Sequence, residues 1–447
     1  MEENRSTTPG SSKFRDFIGS GWASQSEDTP RARDVAQFAA SRRARLSALF
    51  EGERLVMPAG GLQVRSNDTD YPFRAHSDFA YLTGWGSDSE PDSVLVFEPS
   101  ANGHDVFLYF RAPAGRDSDE FYANPQIGEF WIGRRPSLAA VSAELGLTTR
   151  DLSELIGDVM DDTMAQRVAR ELAELRLVKD EWEIEQMRAA VASTARGFTD
   201  IGRVLKVIAG NERGERLVEG AFASRARLEG NGVGYDTIAA SGAHACILHW
   251  TRNDGTVNNG DLILIDAGVE LDSYYTADIT RTLPVNGTFT PIQRKVYEGV
   301  RAAADAAFAI VKPGITFRDV HAEAMRVIAE LTAEWGLLPV SASESLELEN
   351  QHHRRYMVHG TSHHLGLDVH DCAEARKSMY MDGIVTAGMV FTIEPGLYFQ
   401  PDDLTVPEEY RGIGVRIEDD ILVTETGAEN LSIGIPRTAD DIESWLA

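Results

Sequence analysis

The chain has 447 residues, of which 43% are hydrophobic and 25% are charged, proportions that are typical of a globular protein. A chain of this length is too long for one ordinary hydrophobic core, so two domains are expected. The formal net charge is −27, which argues against nucleic acid as a partner, because phosphate binding requires a basic surface.

The sequence contains two cysteines, Cys246 and Cys372, so at most one disulfide can form, and this usage fits a reducing cytoplasm. The N-terminus lacks the apolar run of a signal peptide. No stretch of the chain approaches the apolar length that spans a bilayer. We therefore expect a soluble, cytoplasmic protein that has no membrane partner.

Residues 1–33 are rich in Ser, Thr, Gly, Glu and Asp, and this composition predicts a mobile polar arm. The next part of the chain alternates between helical spacing of apolar residues and short strand-like runs. The predicted helices cover residues 34–50, 137–145 and 152–157, and the predicted strands cover residues 54–60, 93–99 and 105–110. This alternation predicts an N-terminal α/β domain over residues 34–178.

A second domain is expected over residues 179–447, beginning with a long helical pattern that covers residues 177–198. Further helices are predicted over residues 213–226, 291–311 and 317–335, and strands over residues 261–268, 390–399 and 415–423. Because helices come first and the strands carry the polar groups, we expect an α+β domain with a curved sheet that lines a site.

Asp266 and Asp278 each lie in an apolar or β-branched run, within LILIDAG (262–268) and TADITRT (276–282). If the two runs form a hairpin that turns near Asp272, both aspartates are equally far from the turn and lie opposite each other. Cross-strand partners have Cβ atoms about 5 Å apart, and like charges at that distance repel. The pair then requires a cation, a shared proton or solvent, and a metal ion is the favoured solution.

Histidines are concentrated in one part of the predicted second domain. Six of the eleven histidines lie between residues 352 and 370, namely His352, His353, His359, His363, His364 and His370. Gly360 and Gly366 stand beside several of them, which predicts an irregular or bent segment. Histidine supplies a nitrogen ligand to transition metals and also acts as an acid or base near neutral pH.

Two glutamates lie within apolar, strand-like runs, Glu394 in FTIEPG and Glu418 in VRIEDD. Isolated ionised carboxylates in such runs are costly unless they are paired. With the two aspartates and one histidine they form a site of mostly oxygen ligands, which suits Mn²⁺, Co²⁺ or Zn²⁺ better than a thiolate metal. Five protein ligands are about what two ions roughly 3.5–4 Å apart require.

Five motifs occur in a fixed order: GDLILIDAG (260–268), ADITRTLPVNG (277–287), HGTSHHLGLDVHD (359–371), GMVFTIEPGLY (388–398) and YRGIGVRIEDDILVTETG (410–427). Together they resemble the pita-bread metallopeptidases, and most closely aminopeptidase P. Three further segments resemble the same family, NDTDYPFRAHSDFAYLTGW (67–85), EFWIGRRPS (129–137) and ACILHWTRND (245–254). The resemblance covers nearly everything from about residue 36 to the end, and one short motif alone would be much less specific.

The resemblance implies a site with two divalent ions, most often Mn²⁺, and a bridging hydroxide as the nucleophile. The implied metal ligands are Asp266, Asp278, His363, Glu394 and Glu418, with Asp278 and Glu418 bridging the two ions. Glu394 is also the implied proton carrier. The implied substrate-side residues are His249, His359, His370 and Arg416.

The activity implied by the resemblance is release of the first residue from peptides whose second residue is proline. Such relatives are often dimers or tetramers, so a homo-oligomer is expected. The nearest alternative is a prolidase, which cleaves Xaa-Pro dipeptides with the same ligands. A second alternative is a non-catalytic peptide-binding protein of the same fold, although such a protein is expected to have lost at least one of the five ligands.

Overall fold

Residues 7–23, 30–157 and 159–447 are described in a computed structural model of the chain. The chain separates into two units, Met1–Gln166 and Arg167–Ala447, and the division falls within the helix Asp162–Arg176. The mobile arm predicted over residues 1–33 lies partly outside the described residues, which omit 1–6 and 24–29. Between those two gaps the chain forms a short helix, Ser12–Gly19.

The first unit is built on a four-stranded sheet in the order β1-β4-β5-β6. Its strands and those of a small hairpin are β1 (Leu55–Pro58), β2 (Val64–Ser66), β3 (Thr69–Asp70), β4 (Val94–Ser100), β5 (Gly103–Phe110) and β6 (Thr148–Asp151). Its helices are α1 (Ser12–Gly19), α2 (Ala36–Leu49), α3 (Ser77–Thr83), α4 (Asp119–Tyr122), α5 (Glu129–Ile132) and α6 (Leu138–Leu145). The strands predicted over residues 93–99 and 105–110 are confirmed as β4 and β5, which pair with each other in an antiparallel ladder.

The helix predicted over residues 152–157 is wrong, because that segment forms a single 3-10 turn, Leu152–Glu154. The Asp151 side chain accepts from the Ser153 N–H, and the Glu154 side chain accepts from the Asp151 N–H. This local pairing closes one turn, after which Leu155 returns to extended backbone. A run of six residues with helical spacing is too short to offset the cost of starting a helix, so the helix does not continue.

The second unit contains four long helices that are preceded by α7 (Asp162–Arg176). They are α8 (Glu181–Ile208), α9 (Gly214–Glu229), α10 (Pro291–Ile310) and α11 (Phe317–Glu334), with the shorter α12 (Ala342–Ser345) and α13 (Ala439–Leu446) after them. A capping box, in which two side chains and two backbone N–H groups bond reciprocally, stands at the N-terminus of two of these helices. It is formed by Asp180 and Glu183 at α8 and by Thr290 and Gln293 at α10. These caps satisfy N–H groups that have no partner within a helix, which fixes where each helix begins.

The strands of the second unit form short antiparallel ladders. They are β7 (Gly232–Val233), β8 (Ile238–Ser241), β9 (Leu262–Ala267), β10 (Val269–Glu270), β11 (Ile279–Pro284), β12 (Val390–Ile393), β13 (Gly396–Tyr398), β14 (Gly414–Arg416), β15 (Asp419–Val423) and β16 (Ala428–Asn430). The ladders run in the orders β11-β9-β8, β12-β15-β16, β13-β14 and β10-β7. Apolar side chains of α8, α9 and α10 form one continuous core with β9 and β11.

Two strands that were predicted as continuous, residues 390–399 and 415–423, are each interrupted at a glutamate. Ile393 pairs with Asp419 and Gly396 pairs with Arg416, so the same register holds on both sides and Glu394 stands opposite Glu418. The Glu394 N–H donates instead to Thr361 O, and the Glu418 N–H donates to Thr280 O. The ladder therefore opens at these two glutamates, and each carboxylate is held at a break between strands.

No helix within residues 7–23, 30–157 and 159–447 combines the length and the apolar character that crossing a membrane requires. The α+β class expected for the second unit is confirmed by its helices and open antiparallel ladders.

Candidate active site

One cavity of about 590 Å³ in the second unit is lined by all nine residues that the sequence assigned to a site. These residues are His249, Asp266, Asp278, His359, His363, His370, Glu394, Arg416 and Glu418. Asp266 lies in β9 and Arg416 in β14, whereas Asp278 comes just before β11. The two glutamates stand at the breaks between β12 and β13 and between β14 and β15, and the histidines come from the irregular segments before β9 and β12. Residues that are far apart in sequence are therefore brought to one wall.

Asp266 and Asp278 lie close together, but the prediction that they stand directly opposite each other is wrong. Asp266 pairs with Thr280, and Asp278 lies beyond the end of β11, two residues from that partner. Leu271 N–H donates to Tyr275 O, so the hairpin turns about Ser273 instead of Asp272. When the centre of the turn shifts by one residue, the partner of Asp266 shifts by two, from Asp278 to Thr280. Because side chains alternate along a strand, Asp266 and Asp278 still point to the same face of the sheet.

The hydroxyl of Tyr235 lies between the two aspartates, 2.7 Å from Asp266 Oδ1 and 2.5 Å from Asp278 Oδ1. It can donate its single proton to one of them at a time. Burial and the two neighbouring carboxylates raise the pKa of Tyr235 well above its ordinary value, so the phenol stays protonated. The tyrosine therefore fixes the spacing of the two aspartates without adding another charge.

His363 faces the carboxylates through Nε2, which lies 3.3 Å from Asp278 Oδ2 and 3.7 Å from Glu394 Oε1. Its other nitrogen, Nδ1, is 3.1 Å from His364 O and donates to that carbonyl. Burial alone would lower the pKa of His363, but the two carboxylates raise it to about 9. This orientation leaves Nε2 directed at the position where a metal ion would bind.

Glu418 is 1% exposed, and its Oε2 accepts a hydrogen bond of 2.7 Å from the Thr280 hydroxyl. Ligand atoms of Asp278, His363 and Glu418 lie within 4.8 Å of one another. Burial raises the pKa of Glu418 and of Glu394, and nearby carboxylates such as Asp278 raise it further.

Several carboxylates that are packed this closely repel one another unless a cation or protons compensate. The donor set is carboxylate oxygen with one imidazole nitrogen, which fits divalent ions such as Mn²⁺, Co²⁺ or Zn²⁺. The geometry therefore fits the metal site that the sequence predicts. Asp278, His363 and Glu418 already lie close enough together for one ion to contact all three.

Arg416 is 4% exposed and forms an ion pair of 2.5 Å with Asp266 Oδ2. Its guanidinium also donates to the Thr280 hydroxyl and the Tyr398 hydroxyl, at 3.1 Å and 3.2 Å. The neighbouring carboxylate of Asp419 pairs instead with Arg281 and Arg437. Arg416 therefore holds Asp266 in place and partly compensates the charge of that carboxylate.

The other three site histidines line the same cavity, with His249 and His370 exposed and His359 largely buried. His359 Nδ1 donates to Gly360 O at 2.6 Å and its Nε2 accepts from the Tyr398 hydroxyl at 2.8 Å. Burial and the adjacent Arg416 lower the pKa of His359 to about 3, so the ring is neutral. The His370 ring lies 4.3 Å from that of His363, and His249 is exposed at the cavity wall.

Sequence reasoning missed two tyrosines and one aspartate that touch the site residues. Tyr398 could have been found, because Glu394 and Tyr398 share the alternate positions that point to one face of a strand. Tyr235 carries no such signal, since its segment GYDT has no periodic pattern. Asp420 accepts from the Asp278 N–H at 3.2 Å, a contact between distant parts of the chain that no local pattern reveals.

Comparison with known proteins agrees with this geometry. The model of Metallopeptidase family M24 matches residues 185–425, and that of the aminopeptidase P N-terminal domain matches residues 39–170. Xaa-Pro aminopeptidase 1 of Streptomyces coelicolor is 50% identical, with 98% of this chain and 92% of the relative covered. The Xaa-Pro aminopeptidase of Escherichia coli is 33% identical over 92% of this chain and 97% of its own length.

A solved structure, that of proline aminopeptidase P II from Yersinia pestis, matches with a TM-score of 0.78 and 33% identity. The match covers 92% of this chain and 99% of that one, so the similarity extends over both units. The family implies divalent metal ions and hydrolysis, in agreement with the carboxylate and histidine cluster. The chain is a hydrolase that belongs to metallopeptidase family M24, in its aminopeptidase P branch.

Proposed function

We propose that this chain is a metal-dependent Xaa-Pro aminopeptidase, which releases the first residue from peptides whose second residue is proline. The observation that carries the proposal is the cavity where Asp278, His363 and Glu418 place ligand atoms within 4.8 Å of one another. Relatives that are named Xaa-Pro aminopeptidases, at 50% and 33% identity, support the same substrate class.

Five side chains would hold the ions, namely Asp266, Asp278, His363, Glu394 and Glu418. Their oxygen and nitrogen donors suit Mn²⁺, which we propose as the metal, and would also accept Co²⁺ or Zn²⁺. Bound there, two such ions would supply a hydroxide nucleophile by lowering the pKa of a water, and would stabilise negative charge that develops on the substrate.

The protein side chains would orient the substrate and move the proton. Glu394 would carry the proton from the attacking water to the leaving amine, through a carboxylate that projects from a break between strands. His370 would hold the substrate carbonyl, and His249 would donate to the oxygen that becomes charged. His359 and Arg416 would keep Tyr398 and Asp266 in place, as their hydrogen bonds in the cavity support.

Selectivity for proline would come from the apolar part of the cavity wall. Proline at the second position forms a tertiary amide that has no N–H, so a site for it needs no acceptor at that atom. Ile238, Leu248 and Val369 line the cavity beside the polar set and offer an apolar surface for a pyrrolidine ring. Apolar walls with a few placed polar groups are common in small-molecule sites.

We further propose a cytoplasmic, homo-oligomeric protein, in the form of a dimer or a tetramer. Both cysteines, Cys246 and Cys372, are free and buried, which supports a reducing compartment. We also propose that the functional domains divide near residue 178, with the catalytic domain over residues 179–447 and the N-terminal domain over residues 34–178.

A panel of three peptides tests the substrate class. Purified protein that has been loaded with Mn²⁺ should release the first residue from Xaa-Pro-Yaa faster than from Xaa-Pro, and should leave Xaa-Ala-Yaa nearly intact. The physical reason is that an alanine methyl buries less apolar surface than a pyrrolidine ring, and its secondary amide brings an N–H that would need an acceptor. Liquid chromatography of the released residue measures all three rates. Preference for the dipeptide would make the protein a prolidase, and cleavage of none would favour the peptide-binding alternative.

A further inference from the structure

Glu215, in the first turn of α9, is a buried carboxylate that accepts four hydrogen bonds. Its Oε1 accepts from the Ser241 N–H and from His244 Nδ1, both at 2.8 Å. Its Oε2 accepts from Trp250 Nε1 at 2.9 Å and from the Gly255 N–H at 2.6 Å. The side chain is 0% exposed, and these four donors stabilise its buried charge.

All four donors belong to one segment, residues 241–255, which leaves β8 and leads towards β9. Beyond Ser241, the last residue of β8, and the 3-10 turn Gly242–Cys246, this segment has no regular structure that could pair its backbone groups. Buried backbone N–H groups require partners, and Glu215 supplies one at each end of the segment. Gly255 fits because a Cβ there would lie 2.7 Å from both Glu215 Oε2 and the His244 ring.

The same segment carries His249, whose side chain lines the cavity. Its neighbour Trp250 is fixed by the indole N–H bond to Glu215 and by stacking on the His244 ring, with centroids 3.8 Å apart. Within the described part of the chain the ring of His249 itself makes no hydrogen bond. The position of the His249 ring therefore depends on the backbone around it, which the contacts of Trp250 hold in place.

We propose that Glu215 is a positioning residue, which holds segment 241–255 on α9 so that His249 faces the substrate. The proposal rests on the proposed function, because it assumes that His249 acts on a peptide. Helix α9 is a firm support, since Val218, Phe222 and Ala226 are fully buried in the core of the unit. The carboxylate thus connects a packed helix to an otherwise irregular segment of the active-site wall.

Glu215→Gln tests the proposal with little change in shape. The amide replaces one oxygen with an NH₂ group that faces two N–H donors, so two of the four hydrogen bonds are lost. We expect kcat/KM for Xaa-Pro-Yaa to fall about 10-fold to 100-fold, the usual range for a residue that orients a site group, while bound metal stays unchanged. The matched control is Glu219→Gln on the same helix, which should change kcat/KM less than about 2-fold.

A double-mutant cycle with His249→Ala separates positioning from a general structural role. If Glu215 acts through His249, Glu215→Gln should cause no further loss of kcat/KM in the His249→Ala background. An equal fold loss in both backgrounds would overturn the proposal. If Glu215→Gln fails to fold, Trp250→Phe is the second variant, because it keeps an aromatic ring at this position and removes the indole N–H. It should lower kcat/KM by about 3-fold to 10-fold, and it should cause no further loss in the His249→Ala background.

The indole N–H proton resonance of Trp250 provides a readout that needs no substrate. It should move upfield in Glu215→Gln and stay in place in Glu219→Gln, because only the first variant changes the acceptor. An unchanged resonance would contradict the hydrogen bond on which the inference depends. Inactivity of the unaltered protein towards every peptide would instead refute the proposed function, so the two failures are distinguishable.

Discussion

Asp278→Ala should lower turnover of Xaa-Pro-Yaa by more than about 10³-fold, the loss that removal of a single preorganised polar group can reach at an active site. Asp278 is 5% exposed and lies between the Tyr235 hydroxyl and His363 Nε2, where its carboxylate would be shared by both ions. Without it, bound metal should also decrease, which elemental analysis of the same samples measures.

The fold should survive this substitution. In the metal-free protein burial raises the pKa of Asp278 and of Glu418, and repulsion from neighbouring carboxylates raises both further, so removal of one carboxylate relieves that repulsion. The metal-free variant should therefore melt no lower than the metal-free parent. Asp236→Ala is the matched control, because Asp236 lines the same cavity but is exposed, and it should keep its metal. Retained turnover of Asp278→Ala at the parent's metal content would refute the ligand assignment.

Arg281→Met should destabilise the protein by about 3–5 kcal/mol, the usual effect of breaking a buried ion pair from one side. The Arg281 side chain is 0% exposed and donates to Asp419 Oδ1 at 2.7 Å. It also donates to Glu418 O at 2.7 Å and to Pro436 O at 3.0 Å. Methionine fills a similar volume but removes the donor to the two buried carbonyls and to Asp419 Oδ1, and leaves Asp419 with Arg437 as its remaining cation. Urea unfolding in the presence of chelator measures the change in the free energy of unfolding.

The matched control is Arg294→Met, which removes an exposed arginine that pairs with Asp440 and Glu443. Exposed pairs contribute about 0–1 kcal/mol, so this variant should unfold close to the parent. If both variants lost the same stability, burial would not be the cause of the effect. If Arg281→Met were as stable as the parent, the network that holds the backbone of Glu418 would be dispensable.

The parts of the site that could be predicted share one property, a charged residue within an apolar run. Asp266, Asp278, Glu394 and Glu418 were recognisable because a strand-like context makes an ionised side chain costly without a partner. The family resemblance then selected His363 from among six clustered histidines. The helices were predictable because apolar spacing is a local signal, and α8 to α11 all follow it.

The rest of the site depends on contacts between distant parts of the chain. Tyr235 reaches Asp266 and Asp278 from the end of β7, and no pattern in its own segment indicates that it does so. The breaks at Glu394 and Glu418 arise because their N–H groups bond to Thr361 and Thr280, which lie in other elements. Glu215 was missed because its four donors are defined by the folded segment and not by spacing.

The metal dependence of turnover tests the central claim most directly. Protein stripped by chelator and then titrated with Mn²⁺ would be assayed for metal content and for release of the first residue from Xaa-Pro-Yaa, on the same samples. The account predicts that activity disappears with the metal, returns on titration and saturates at two ions per chain, as a dinuclear hydrolase requires. Full turnover in samples that contain no detectable metal would contradict it.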